Sequence, residues 1–402
     1  MGVPAGSKDA GRLGVLDGLR GIAILLVLWF HAWQQSWLRA DVPLFGQTLN
    51  FNWIPETGFL GVDLFFFVSG FCLFYPYART LFDGRAKQTL GDYAWHRARK
   101  ILPSYVVAIV VLVALGFAKF GSWQEAARHI GLHLAFIHTW VPDAYGSING
   151  AFWSLGVEVQ FYVMFPLLCW AAMRLPWPTF AAMCLAAVAY RTSLHGLAGT
   201  PFSDAVSQVF GTLDLFAAGM AAAYAYRLIS VRHPKLAGNA WLWTLVALAG
   251  CIAVEILSLG LFDRRALHDW ASGWYVLGRT PLALSFFVLT LGSLFAVRWW
   301  RALLANPALA FLSVVSYNLY LWHPVVASYL RTQPIFPWHA TMPLEALNSQ
   351  RLAYALLTIA CSIAFAAIPT FALERPLLRL RRPRCGRRPA AFPAAPPSAE
   401  PT

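Results

Sequence analysis

The sequence predicts an all-α integral membrane protein of about ten transmembrane helices, with N-terminus and C-terminus cytoplasmic. Three observations carry that expectation. Of 402 residues, 58% are hydrophobic, 15% aromatic and only 12% charged, about half the charged share of a soluble domain. Mean hydropathy is +0.55. The chain contains apolar runs close to the roughly 20 residues needed to cross hydrocarbon. When ten spans are threaded from an inside N-terminus, 22 of the 31 Lys and Arg fall on the cytoplasmic side, as the positive-inside bias requires. In a soluble chain a net charge of +13 would suggest nucleic acid. Here the basic residues gather in particular loops and in the tail, so no nucleic-acid partner is expected.

Residues 1–15 form a short polar lead, expected to be cytoplasmic and disordered. No small-residue cleavage site ends the apolar run that follows, so it does not read as a removable signal. The first span is 16–37, followed by a loop rich in Pro, Gly and Asn. The second is 58–78. Residues 79–100 read as a polar connector ending in HRARK, and the third span, 101–120, is opened by Pro103, which suits a first helical turn. Residues 122–141 are too short and too charged to span, and read as a helix on or dipping into the bilayer. Making them an eleventh span would also move the arginine-rich tail outside. Their His129 and His133 are four residues apart, but no carboxylate completes a zinc-protease pattern, and no metal is expected. The remaining spans are 152–173, 177–190, 206–226, 240–262, 274–297, 308–330 and 352–373. Together 16–376 make one membrane domain. The tail 377–402 is basic, then Pro/Ala-rich, and is expected to be disordered. Six scattered cysteines with no CxxC indicate neither a disulfide framework nor a metal site.

The candidate chemistry lies on ionisable residues inside these spans. Arg20 and His31 are eleven residues apart, which on a helix is three turns plus roughly 20°, about 16 Å along one stripe. Asp17 falls within about 40° of that stripe. Three ionisable groups on one face do not face lipid. The plainer alternative makes Asp17 and Arg20 interfacial anchors and His31 a histidine packed between helices. Arg97 and Lys100 share a helical face at the cytoplasmic mouth. Glu158 lies about 10 Å below the outer surface, near the depth of His31, which suggests a shared polar cavity; its alternative role is a structural hydrogen-bonding partner. Asp63 and Ser69 lie in the second span. Tyr317, Tyr320 and His323, with Asn318, are placed to line a cavity, against the alternative of an aromatic face kinked at Pro324. Asp63, Asp214 and Arg279 are further intramembrane charges, to be protonated or paired as Arg–Asp.

Six segments, LDGLRGIAILLVLWFH, GFLGVDLFFFVSGF, RARKILPSY, FWSLGVEVQFYVMFP, SYNLYLWHP and LERP, resemble in that order the acyltransferase family 3 of integral membrane proteins. The resemblance spans about 16–376. It implies transfer of an acyl group, most often acetyl, to a hydroxyl of a sugar, glycan or similar acceptor. It maps the family's arginine–ten residues–histidine motif onto Arg20 and His31, with His31 catalytic. Its basic pair maps onto Arg97 and Lys100, and its WSL-x-x-E glutamate onto Glu158. Lys100 stands where arginine is usual, which keeps the charge but not the bidentate geometry. No hydrolase-like domain follows the spans, so a standalone form is expected, in the cytoplasmic membrane of a bacterium.

The implied mechanism has acyl-CoA, in the first instance acetyl-CoA, as a donor substrate rather than a permanently bound cofactor. Its phosphates would rest on Arg97, Lys100 and Arg20. His31 would act as general base or as an acyl relay, its ring oriented by Glu158 or Asp17. Asp63, Ser69, Tyr317, Tyr320 and His323 would line the substrate cavity. Two readings compete. A transporter or flippase would use the same charges and carry inverted repeats, which the sequence does not display. A scaffold or sensor would leave the Arg20–His31 stripe dispensable.

Overall fold

A computed structural model describes residues 10–85, 88–194, 202–265, 267, 273–336 and 346–380. Most of the expected lead and tail therefore lies outside the described residues. Helix α1 runs Ala10–Ser36. It stops where the Ser36 hydroxyl turns back to the Ala32 carbonyl at 2.8 Å and Trp37 takes a left-handed φ of 52°. The expected loop after it is an antiparallel hairpin, β1 (Asp41–Leu44) and β2 (Gln47–Asn50).

Helix α2 (Leu60–Asp83) ends at Gly84, whose φ of 65° makes it a left-handed cap. Helix α3 (Leu90–Ala114) begins where Thr89 accepts the Asp92 amide at 3.1 Å. This corrects the expected connector: HRARK lies within α3, and Pro103 sits in its middle rather than opening it. The cap at Thr89, about two turns before the basic run, outranks the proline as a start signal. An interior proline removes one backbone bond, a loss that neighbouring helices and polar groups can offset in a membrane helix.

Helix α4 (Trp123–Leu134) has 12 residues, about 18 Å, well short of the roughly 30 Å hydrocarbon layer. Its His133 stacks on His138, with ring centroids 4.0 Å apart and planes 8° from parallel. The His133 Nδ1–H donates to the His129 carbonyl and the His138 Nε2–H to that of Phe152. Burial disfavours the imidazolium and holds His133 down at about 4 and His138 at about 3. Both lie below the roughly 6.5 of an unfolded histidine, so the unfolded chain binds more protons at mildly acid pH. The stability from this pair is complete above about pH 6.5 and is lost as pH falls through that value toward 4, by roughly 1.4 kcal/mol per pH unit and ring. Melting of the purified protein should therefore weaken from pH 6.5 to 4.5, and His138→Phe should flatten that slope. A melting temperature level over this range in the parent protein would contradict the buried neutral pair.

Then come α5 (Phe152–Arg174), α6 (Pro176–Ser193), α7 (Leu213–Arg232), α8 (Ala240–Arg264), α9 (Arg279–Phe295), α10 (Pro307–Arg331) and α11 (Asn348–Pro369). Wider π-turns at Trp274–Gly278 and Thr370–Glu374 flank α9 and α11. Among the described residues, seven helices are long and apolar enough to cross a membrane: α1, α2, α5, α8, α9, α10 and α11, three of these with their flanking turns or short helices. The all-α membrane class follows. α3, α6 and α7 are as regular but more polar or shorter.

The centre is the pair α2 and α7, not α1. About two thirds of each is buried, 16 of 24 residues in α2 and 14 of 20 in α7. A Cβ on Gly70 would lie 2.3 Å from the Phe216 carbonyl oxygen, and one on Gly219 2.0 Å from that of Phe67. Small residues let the two backbones touch, which is how helices associate where lipid removes the hydrophobic drive. α1 packs against α2 on one side and α10 on the other, and so delivers its polar stripe to the bundle interior.

Buried charges tie the helices laterally. Arg191 on α6 pairs with Asp214 on α7 at 2.9 Å, both side chains fully buried. Thr280 on α9 donates to Asp214 at 2.6 Å. Arg279 pairs with Asp63 at 3.2 Å. The intramembrane charges are thus largely paired.

Candidate active site

Two chambers lie between α1, α2, α5 and α10. One, of about 40 Å³, is lined by Arg20, Ser154, Glu158 and Tyr317. The other, of about 380 Å³, is lined by His31, Asp63, Tyr145, Trp153 and Tyr275. Val62 and Tyr320 line both and form the partition. The first holds a few waters at most; the second is the size of a small-molecule site.

In the His31 chamber the imidazole Nδ1 lies 2.8 Å from the Val27 carbonyl. A carbonyl only accepts, so Nδ1 carries the hydrogen and the neutral ring keeps its lone pair on Nε2. Among the described residues, Nε2 makes no hydrogen bond. His323 meets this ring edge to face at 4.5 Å. It repeats the arrangement: Nδ1–H donates to the Leu319 carbonyl at 3.0 Å, and the buried Nε2 has no partner. α1 and α10 each turn a basic nitrogen inward by satisfying the other on their own backbone.

The partition is held from α5. Ser154 donates to the Tyr320 hydroxyl at 2.7 Å, and Asn149 to the Leu321 carbonyl at 3.0 Å. Behind it, Glu158 accepts from Ser69 at 2.7 Å and Tyr162 at 2.5 Å. Tyr162 stands one turn from Glu158 on the same face. Arg20 lines the same chamber, with a buried Nε that has no hydrogen-bond partner among the described residues.

The sequence-predicted residues therefore divide. His31, Asp63 and Tyr320 come together at the larger chamber, and His323 packs behind the His31 ring without lining it. Arg20, Glu158, Ser69 and Tyr317 come together at the smaller. The expectation that Glu158 shares a cavity with His31 is corrected: helical depth matches, but the Tyr320 side chain stands between. Asp17 is exposed, accepts from Ser313 at 3.1 Å, and lies about 21 Å along the helix from His31. It does not orient that ring.

Lys100 is also corrected. Its ammonium is ion-paired to Glu374 and lies 5.5 Å from the Tyr317 ring, so it is not held out beside Arg97 for a ligand. Asn318 donates to the other Glu374 oxygen at 2.8 Å and to Thr370 at 3.0 Å; it braces that ion pair and lines neither chamber. Glu374 is the carboxylate that holds both Lys100 and Asn318. Its signal was a lone carboxylate at the end of an apolar run. Arg97 sits over the Tyr162 ring at 5.4 Å and lines a mostly apolar groove of about 610 Å³ between α3 and α5.

A family model described as an acyltransferase domain matches residues 13–367. The chain is similar to "Putative O-acetyltransferase SACOL0978" of Staphylococcus aureus (strain COL), 23% identical over 344 residues, covering 79% of this chain and 51% of that protein. It is similar to "Putative membrane-bound transacylase BcsY" of Komagataeibacter xylinus, 27% identical over 337 residues, covering 78% of this chain and 74% of that one. The chain thus spans about half the length of the staphylococcal relatives it matches. No solved structure matches it. A match over most of the chain, on a bundle of apolar helices, settles the family: the chain belongs to acyltransferase family 3.

Proposed function

We propose that this protein transfers an acyl group, acetyl in the first instance, from acyl-CoA to a hydroxyl of a sugar or glycan in the cytoplasmic membrane of a bacterium. The observation that carries the reading is the free Nε2 of His31 facing a ligand-sized chamber. His31 is the general base. Its Nε2 takes the proton of the acceptor hydroxyl as that oxygen attacks the thioester carbonyl. The carbon–sulfur bond breaks, the thiolate leaves, and the imidazolium returns the proton to it, giving ester and free CoA. His323 faces the ring that becomes charged.

The donor enters past Arg20 and Arg97, whose cations suit its phosphates. The Arg20 chamber is too small for more than the narrow thioester end. Tyr320 must therefore swing aside for the thioester to meet the acceptor. α3, α6 and α7 complete ten spans, and the basic-residue bias supports both termini in the cytoplasm.

The test uses purified full-length protein in liposomes. Acetyl-CoA labelled in the acetyl group is supplied, and the label is followed into glycans extracted from a bacterial envelope. The reading expects label in an alkali-labile ester together with release of free CoA. Movement of glycan across the bilayer without acetyl-CoA consumption would overturn it in favour of transport.

A further inference from the structure

The groove between α3 and α5 is apolar along its walls and cationic at its floor. Its rim lies open: Leu90 and Leu102 on α3 are 64% and 42% exposed, and Val163 and Leu167 on α5 are 77% and 70% exposed. From Leu90 to Leu102 it follows α3 for about 18 Å. One leaflet's share of a 30 Å hydrocarbon core is about 15 Å. The floor is held by a strut. Pro166 has no N–H, so the Tyr162 carbonyl one turn earlier loses its helical partner. The Tyr93 hydroxyl donates to that carbonyl at 3.0 Å and ties α3 to α5. Over these two phenols lies the Arg97 guanidinium, 6.0 Å from the Tyr93 ring centre and 5.4 Å from that of Tyr162. Among the described residues that line the groove, Arg97 is the one charge, and no carboxylate accompanies it. Its buried Nε has no hydrogen-bond partner. Glu158, on α5, is engaged by Ser69 and Tyr162 instead. A cation in an apolar groove of a membrane protein is costly without its anion, and such a group marks a ligand.

We infer that this groove is a seat for an anionic phospholipid, with one acyl chain lying between α3 and α5 and the headgroup phosphate meeting Arg97. Each half of the lipid answers one half of the groove. The chain fills the apolar walls, whose open rim lets it enter sideways from the bilayer. The phosphate supplies the anion that the lining lacks. Stacking on phenols uses the flat face of a guanidinium and leaves its N–H edge to donate, in the forked geometry that suits phosphate. Basic pockets between membrane helices hold lipid headgroups by this chemistry. A zwitterionic headgroup brings its own cation and gains less. A small phosphate gains nothing from the walls. The inference does not depend on acyl transfer. Where Arg97 also meets the phosphates of the donor, lipid and donor exclude one another at that residue.

The experiment measures lipid binding with no donor present. Full-length protein, purified and delipidated in a neutral detergent, is titrated with dioleoylphosphatidylglycerol and dioleoylphosphatidylcholine, and native mass spectrometry follows the retained lipid. One copy of the glycerol lipid is expected to bind about ten-fold or more tighter than the choline lipid, the worth of a hydrogen bond to a charged group. Arg97→Gln should bring the glycerol lipid down to the level of the choline lipid. Ala98→Trp, which puts an indole into the groove, should weaken both. If Ala98→Trp fails to fold, Leu102→Trp at the open rim serves instead. Glycerol 1-phosphate, the headgroup without chains, should not displace the bound lipid. Equal binding of the two lipids by the parent protein overturns the inference and leaves an ordinary lipid annulus. Undiminished binding of the glycerol lipid in folded Arg97→Gln, or in the folded groove-filling variant, overturns it as well. So does displacement by glycerol 1-phosphate, which would mark a site for free phosphate.

Discussion

His31→Ala is expected to lower acyl transfer by about 10²- to 10⁴-fold, the range for removing a positioned general base, while the protein still inserts and melts normally. The geometry separates these effects. The only hydrogen bond of the ring to the described residues is to its own helix at Val27, and the side chain is only partly buried. Truncation therefore removes the chamber's free nitrogen without unpairing another helix. Its neighbour supplies the control. His323 presents a similar nitrogen at 4.5 Å between ring centroids, so His323→Ala should cost less, and the double variant no more than His31→Ala alone. Measured turnover within about three-fold of the parent in His31→Ala would remove that residue from the chemistry.

The largest stability effect is expected at Arg191 and Asp214. Both side chains are fully buried, and between them they also engage the Gly211 carbonyl and Thr280. Asp214→Ala leaves a guanidinium inside the bundle with no counter-charge, which costs about 3–5 kcal/mol. Arg191→Met strands the carboxylate at similar cost. The double variant Arg191→Met/Asp214→Leu removes both charges and should recover most of the loss. Monodispersity and thermal melting in detergent give the comparison. If each single variant melts with the parent protein, the pair is not the tie between α6, α7 and α9 described here.

Much of this was legible in the residues. Apolar run length located the helices, because spanning is set by a fixed hydrocarbon thickness. The Arg20–His31 spacing placed both side chains on the bundle-facing stripe, since helical phase follows from sequence alone. What sequence did not supply was contact across helices. Phase and depth put Glu158 level with His31, but only the rotamer of Tyr320 decides that a wall lies between them. Lys100 resembled a free cation until α11 and its π-turn brought Glu374 back beside it. Helix α3 was misjudged because Pro103 is a visible signal and the Thr89 cap a faint one. The hub of α2 and α7 escaped notice because close approach depends on paired glycines far apart in the chain.

Tyr320, with Val62, stands between the two chambers. An ion gradient held across a bilayer drains through any continuous wet path in a protein. Ser154 holds the Tyr320 hydroxyl at 2.7 Å, and this contact keeps the phenol in the wall. An unlatched variant such as Ser154→Ala is therefore expected to raise ion leakage through proteoliposomes measured without donor or acceptor.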